Sequence, residues 1–175
     1  MPAQPPKLAD AAIAAHRATR QIDDHIVLDL ALYVPYFFAS VNNALSASAS
    51  TAYRQEFGIG ITEWRVLSTL AQEPGAFATD IVSLLALDKA AVSRALSGLS
   101  KLGKIEPELH PKDPRRKSWT LTDKGWRIHN EILEKALERE DKLLRGVSAK
   151  ELEMCLKAMK QMQTNLFAER AENNS

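Results

Sequence analysis

The sequence lacks the features that would place it in several large classes of protein. It has one cysteine, Cys155, which excludes an internal disulfide framework. No stretch approaches the roughly 20 apolar residues that a membrane-spanning helix needs. Lys7, Asp10, His16 and Arg17 interrupt the amino-terminal stretch, which therefore has no apolar secretory core. We accordingly expect a cytoplasmic protein that makes no use of a membrane.

Patterns that support catalysis or metal binding are also scarce. The four histidines are scattered without metal-ligand spacing, and one cysteine cannot complete a thiolate site. The seven glycines form no phosphate-cradling loop, and no nucleophile elbow occurs. We expect no enzyme activity, no metal and no cofactor. The 175 residues, 45% of them apolar, are enough for one globular unit with a sizeable core.

The most informative local pattern lies between Asp88 and Thr122 and begins with a predicted helix. Asp88 is placed to accept hydrogen bonds from the first turn of that helix. Gly103 stands where a helix end favours positive φ. Apolar residues recur at spacings of three and four and form one stripe: Val92, Ala95, Leu96, Leu99 and Leu102. The positions off this stripe, which can face a partner, are Lys89, Ser93, Arg94, Ser97 and Lys101.

After Gly103 the apolar residues alternate with polar ones, which predicts a β-hairpin with the basic run 112–117 at its tip. Pro107 marks the first strand as weak or at a sheet edge, because proline donates no backbone hydrogen bond. From Lys89 to Arg127 there are ten lysines and arginines and four acidic residues, a formal charge of +6. The whole chain carries +1, so the remainder carries −5. This concentration of positive charge indicates a phosphate-bearing partner.

The order helix, turn, basic helix and hairpin resembles the MarR family of winged helix-turn-helix transcription regulators. The wing carries the likeness: Asp113-x-Arg115 is followed, after five residues, by Leu121-Thr122 and then Lys124-Gly125. The resemblance covers about residues 28–167. It implies a mainly α fold with a small β-hairpin wing (α+β) and long amino- and carboxy-terminal dimerisation helices. It also implies a homodimeric repressor that binds a pseudo-palindromic operator in double-stranded DNA and is released by a small aromatic or phenolic ligand.

We divide the chain into a partly ordered extension (1–22), a helical dimerisation region (23–58 and 123–170) and a winged helix-turn-helix domain (59–122), all in one compact unit. Residues 11–22 could form a helix or remain disordered. An apolar stripe from Ile26 to Leu45 predicts a helix that begins near Asp23, is kinked at Pro35 and ends near Ser50. A bundle within one chain is the alternative to a dimer.

The remaining helix boundaries are predicted from capping residues. A short helix over 51–57 is expected to end at Gly58, and a long one to break at Gly146. The predicted helix-capping residues are Thr62, Thr79, Thr122 and Ser148, the last paired with Glu151. The apolar seam of the last helix, which we expect to pair subunits, comprises Leu152, Cys155, Leu156, Met159, Met162, Leu166 and Phe167.

The basic segment has several candidate DNA contacts. Arg94 could bond guanine in a bidentate manner, while a phosphate contact or an intrachain ion pair is the alternative. By resemblance, Arg115 enters the minor groove and Asp113 holds an arginine of the wing. Arg116 and Lys117 are expected to contact phosphates. A winged-helix module that binds only protein is a competing hypothesis, which the +6 segment disfavours.

Regulators of this family commonly bind small aromatic acids in a cleft between the dimerisation helices and the winged domain. The residues that could line such a cleft here are Tyr33, Tyr36, Phe37, Trp64 and Arg65, with Arg65 as the anion partner. The alternative is that the aromatic residues belong to the core and Arg65 to the surface. Redox sensing through Cys155 is a further alternative. It is disfavoured because the nearest cation, Lys157, faces away along the helix.

Overall fold

We describe the computed structural model over residues 18–110 and 113–173, and its side chains over 18–108 and 117–168. Within these limits the chain forms six helices and five short strands, which confirms the mainly α class with a small antiparallel sheet. The elements are β1 (Thr19–Ile22), β2 (His25–Leu28), α1 (Val34–Phe57), α2 (Ile61–Gln72), β3 (Ala76–Phe77), α3 (Ala78–Leu85), α4 (Lys89–Lys101), β4 (Ile105–His110), β5 (Asp113–Leu121), α5 (Asp123–Leu143) and α6 (Ala149–Asn173).

The core is built around α2, which packs against α1, α3, α4, α5 and β5. Val66, Leu67 and Leu70 of α2 are fully buried. The other buried apolar side chains of this core include Tyr53, Ile81, Val92, Leu96, Leu99, Ile105, Leu121 and Ile132. The core therefore joins the second half of α1 and the middle of α5 to the winged domain.

Helix α4 forms where the sequence predicts it. The amide of Ala91 donates a hydrogen bond of 2.8 Å to Asp88 Oδ1, and Gly103 adopts a φ of +63° just beyond the helix. The predicted apolar stripe is buried except for Leu102, which is 45% exposed. Leu102 caps the helix instead of continuing it, so its side chain lies beyond the last turn that faces the core.

The wing is a three-stranded antiparallel sheet in the order β3-β5-β4. β4 lies at the edge, and Pro107 pairs there with Trp119, so the predicted edge position of Pro107 is confirmed. β3 was not predicted, because two residues are too few to show an alternating pattern. It pairs Ala76 with Trp119 and Phe77 with Ser118, and it anchors the wing to the start of α3.

The amino-terminal prediction was wrong over residues 19–33. Instead of a helix, the chain forms a hairpin in which Thr19 pairs with Leu28 and Ile22 with His25. α1 begins only at Val34, so Pro35 lies in the first turn, where its missing N–H costs no hydrogen bond and produces no kink. α1 also continues through the predicted break at residues 50–51 and ends at Phe57. Residues 1–17, to which most of the predicted extension belongs, lie outside the described residues.

Two predicted helix caps were also wrong. α2 begins one residue before Thr62, and the amide of Gly60 donates a 3.1 Å hydrogen bond to Glu63 Oε2. α3 begins in the same way, with Asp80 in the role of Glu63, so Thr79 lies inside the helix. A carboxylate at the third helical position can reach back to the cap, and the sequence reading gave this role to the nearer hydroxyl instead.

The predicted caps of the last two helices are confirmed. Thr122 Oγ1 accepts a 3.1 Å hydrogen bond from the amide of Gly125 at the start of α5. Gly146 has a φ of +85° in the link to α6. Ser148 and Glu151 cap α6 reciprocally, with hydrogen bonds of 2.8 Å and 3.3 Å. The bonds from the hydroxyl and the amide of Ser148 hold the pKa of Glu151 below its usual value.

Gly125 is required where the first turn of α5 crosses the backbone before β4. A Cβ at this position would clash with the carbonyl oxygen of Lys104. We expect Gly125→Ala to lower the free energy of unfolding by about 2–3 kcal/mol, because the two backbone segments must separate. Gly98→Ala is the matched control, since a Cβ there meets nothing within 4 Å and should stabilise α4 by about 0.5–1 kcal/mol. Urea unfolding measures both, and a fully stable Gly125→Ala variant would contradict this packing.

Helix α6 stands apart from the rest of the described chain. It makes no extensive contact with another element, and among its described side chains only that of Leu152 is half-buried. The alternative of a bundle within one protomer therefore does not hold for α6. Exposed large apolar side chains on α1, α5 and α6 include Phe37, Phe38, Val41, Leu133, Leu137, Leu143, Leu156, Met159, Met162, Leu166 and Phe167. None of the described helices has the combination of length and apolar character needed to cross a bilayer.

Candidate nucleic-acid interface

Helix α4 presents a polar, cationic surface on the side opposite its buried stripe. Lys89, Ser93, Arg94, Ser97 and Lys101 are all exposed. The one ion pair among the described side chains joins Lys135 and Glu138 on α5, at 3.8 Å. The intrachain ion pair considered for Arg94 is therefore absent within the described residues, and the cations of α4 are available to an anionic partner.

A cavity of about 680 Å³ separates α4 from the wing and from α3. It brings together five of the predicted DNA contacts: Lys89, Ser93, Ser97, Lys101 and Lys117. Arg94 does not line this cavity and lies further round the exposed side of α4. Thr79 and Ser83 of α3 also line it, and sequence reasoning missed them. Their spacing of four residues, which places two hydroxyls on one helix face, was the available signal.

Three of the predicted wing residues cannot be placed. The backbone of Asp113, Arg115 and Arg116 belongs to β5, but their side chains lie outside the described residues. Their assigned roles stay predictions. Lys117 is the one residue of the predicted contacts in the wing whose side chain is described, and it is exposed toward the cavity.

Lys104 is a cation that the charge pattern assigned to the surface but that the fold buries. It is 4% exposed, and its Nζ donates a 3.1 Å hydrogen bond to the carbonyl oxygen of Phe57. Burial and then the nearby Lys124 lower the pKa of Lys104, while Glu63 opposes them. Lys104 thus ties the end of α1 to the start of β4, and one of the ten cations of the basic segment is structural.

A second cavity, of about 270 Å³, lies between α1, α2 and α5. Arg65 Nη2 donates to Asn42 Oδ1 at 3.3 Å and to Ser46 Oγ at 3.4 Å. From the other side, Arg139 Nη2 donates to the carbonyl oxygen of Leu45 at 3.1 Å and to Ser48 Oγ at 2.5 Å. Two guanidinium groups therefore face one cavity whose remaining lining includes Tyr53, Ile61, Leu143 and Glu140. We name it the two-arginine cavity.

The predicted ligand residues do not come together. Of the five, Arg65 alone lines the two-arginine cavity. Trp64 is half-buried between the rings of Tyr53 and His129, at centroid distances of 6.2 Å and 5.3 Å. Tyr33 lines a separate cavity beside the β1–β2 hairpin, while the rings of Tyr36 and Phe37 contact each other edge-on at 5.9 Å.

Sequence reasoning missed Tyr53 and Arg139 in the two-arginine cavity. Arg139 approaches Arg65 from a helix that follows the wing, so no local pattern connects the two residues. Burial raises the pKa of the Tyr53 phenol, and Arg139 opposes that shift. The phenol therefore stays protonated at neutral pH and can donate a hydrogen bond.

Comparison with known proteins supplies the family. The sequence profile of the MarR family matches residues 57–116. A MarR/EmrR family transcriptional regulator from Acinetobacter sp. ADP1 is 33% identical, with 77% of this chain and 94% of that chain covered and a TM-score of 0.71. Among curated proteins, no sequence matches.

Two further structures share the fold at lower identity. PcaV from Streptomyces coelicolor, in complex with its natural ligand, is 20% identical, covers 79% of this chain and 96% of its own, and has a TM-score of 0.68. MepR from S. aureus, in complex with DNA, is 23% identical, covers 78% and 98%, and also has a TM-score of 0.68. With its fold, its wing and its 33% identical relative, the chain belongs to the MarR family of transcriptional regulators.

Proposed function

We propose that this regulator binds double-stranded DNA as a homodimer and acts as a repressor that a small anionic ligand releases. The observation that carries the DNA-binding part is the set of exposed, unpaired cations on α4 and β5. A helix of this width fits the major groove, where its amino-terminal turns reach base edges. The MepR–DNA complex shows that a protein of the same fold binds DNA.

The described side chains divide into two kinds of contact. Arg94, in the second turn of α4 and away from the core, is positioned to read a base edge. Lys89, Lys101 and Lys117 surround the cavity between α4 and the wing, where they can neutralise phosphates on either side of the groove. Ser93 and Ser97 add hydroxyl donors, and Arg115 would reach the minor groove beside the wing.

Homodimerisation is supported by the apolar surface that one protomer leaves uncovered. The exposed side chains of α1, α5 and α6 form a larger apolar surface than a monomeric regulator normally presents. Pairing two copies through these helices would bury that surface and place two α4 helices about a two-fold axis. The operator would then be pseudo-palindromic, with half-sites about 10 bp apart or a multiple of that spacing.

The two-arginine cavity is the best-supported ligand site. Its guanidinium groups suit a carboxylate, and apolar residues such as Leu45 and Ile61 suit a small ring. Arg65 belongs to α2, the centre of the winged domain's core, whereas Arg139 belongs to α5, a dimerisation helix. A ligand that engages both would change how the two regions are held together. PcaV, of similar fold, was solved with its natural ligand.

The proposed base contact can be tested by comparing two DNA duplexes at one salt concentration. Arg94→Ala should weaken binding to the DNA upstream of the protein's own gene more than to a scrambled duplex, because a bidentate base contact contributes about 1–3 kcal/mol of discrimination. The preference between the duplexes should therefore fall about 5- to 100-fold in fluorescence anisotropy titrations.

Two matched variants complete this experiment. Lys101→Ala should weaken binding to both duplexes equally, and Lys135→Ala, on α5 beside Glu138, should change neither. Equal losses on both duplexes for Arg94→Ala would show that Arg94 holds only phosphate. Sequence reading would then pass to Lys89, Ser93 and Ser97.

A further inference from the structure

The cavity between α4 and the wing has an apolar floor. Val92 and Leu96 of α4, Val82 of α3 and Trp119 of β5 line it. Its volume of about 680 Å³ falls within the range of cavities that enclose small molecules, about 300–1,000 Å³. Phosphates and base edges are polar and gain little from such a floor, so DNA contact alone does not account for it.

The rim of the same cavity is cationic. Lys89, Lys101 and Lys117 surround it and have no carboxylate partner among the described residues. The indole of Trp119 is half-buried at its wall and offers a flat apolar surface to an aromatic ring. An apolar floor with an aromatic wall and a ring of ammonium groups is complementary to a molecule that has fused rings and one anionic group.

We propose that this cavity binds an aromatic carboxylate of two or three rings and that the bound acid excludes DNA directly. The rings would lie against Val82, Leu96 and Trp119, and the carboxylate would face the lysines. Five residues of the lining are also the proposed DNA contacts, so one protomer cannot hold both partners there. The competition rests on the proposed DNA binding, whereas the binding of the acid does not. A ligand in the two-arginine cavity, by contrast, would act at a distance from α4.

The location of the acid can be read from the three tryptophans of the chain. In a ¹⁵N-labelled sample, the indole N–H groups of Trp64, Trp119 and Trp126 give three signals, and Trp119→Phe identifies one of them. Titration with sodium 2-naphthoate should move the Trp119 signal in a saturable manner. Movement of the Trp64 or Trp126 signal alone, or no movement at millimolar 2-naphthoate, would overturn the proposal.

The lysines are tested with charge-removing variants and a neutral ligand. Lys101→Met and Lys117→Met should each weaken 2-naphthoate binding about 2- to 5-fold, the range of an exposed ion pair. Neither should affect 2-naphthalenemethanol, which has no charge. Lys135→Met, on α5 outside the cavity, is the control. Unchanged 2-naphthoate affinity in both cavity variants would show that the lysines do not recognise the carboxylate and would overturn the proposal.

Competition is measured with DNA at increasing 2-naphthoate concentrations. The apparent DNA affinity should fall by a factor of one plus the ratio of the acid concentration to its dissociation constant, as found from the Trp119 signal without DNA. A plateau, which indicates a ternary complex, would overturn direct exclusion. If the protein bound no DNA even without the acid, the proposed function would fail, while the Trp119 titration would still decide whether the cavity binds the acid.

Discussion

A chain that ends after Gly146 is expected to be a folded monomer that binds its operator at least about 100-fold more weakly than the whole protein. The truncation removes α6, whose apolar side chains are exposed in the protomer; that of Leu166, for example, is 60% exposed. The buried core comes from residues 49–132, so the truncated chain keeps it intact. A monomer occupies one half-site at a time and loses the effective concentration that links two binding events, about 10²- to 10⁴-fold in affinity.

Sedimentation and DNA titration of the truncated chain test the interface. Leu166→Glu is a milder test, and Lys157→Glu is its control, because nine residues of helix place the two positions on opposite faces of α6. The first variant should dissociate the dimer and the second should not. A truncated chain that still sediments as a stable dimer would assign the interface elsewhere, and the first half of α1 would be the remaining exposed apolar surface.

The region from Asp88 to Thr122 could be predicted from sequence because its signals are local. The cap at Asp88, the positive φ at Gly103 and the change from helical to alternating spacing are each decided by a few neighbouring residues. These elements also pack on both sides of one core, so local preference and tertiary contact agree.

The amino terminus was mispredicted because its apolar pattern fits two periods. Ile26, Leu30 and Val34 recur every four residues, which suggests a helix, but Ile26, Leu28, Leu30 and Leu32 recur every two, which suggests a strand. The hairpin packs against no other part of the described protomer to any extent, so burial does not distinguish the two patterns. Pro35 was decisive in retrospect, since proline is common in the first turn of a helix and costly within it.

The candidate sites illustrate what a local reading of sequence cannot supply. Arg65 and Arg139 meet only because α2 and α5 pack beside α1, and nothing near either residue in the sequence indicates the other. Lys104 belongs to the basic segment in sequence but lies in the core, where it bonds the end of α1. Both facts depend on long-range packing, to which periodicity and spacing are insensitive.

The affinity for DNA is expected to fall steeply with salt. Lys89, Lys101 and Lys117 provide three phosphate contacts in each protomer, and a dimer doubles them. Each neutralised phosphate contributes about −0.9 to the slope of log K against log salt, so these six predict a slope of about −5. Between 50 mM and 200 mM salt the affinity should therefore fall by about 10³-fold. Contacts from Arg115 and Arg116 would make the slope steeper.

The measurement that tests DNA binding by this surface most directly is that slope, in the whole protein and in Lys101→Ala. Anisotropy titrations at several salt concentrations should give a slope of about −5 or steeper for the whole protein. The variant should be shallower by about 2, because one lysine is lost from each protomer of the dimer. A duplex affinity that does not depend on salt, or a slope that Lys101→Ala leaves unchanged, would contradict the placement of DNA against α4 and the wing.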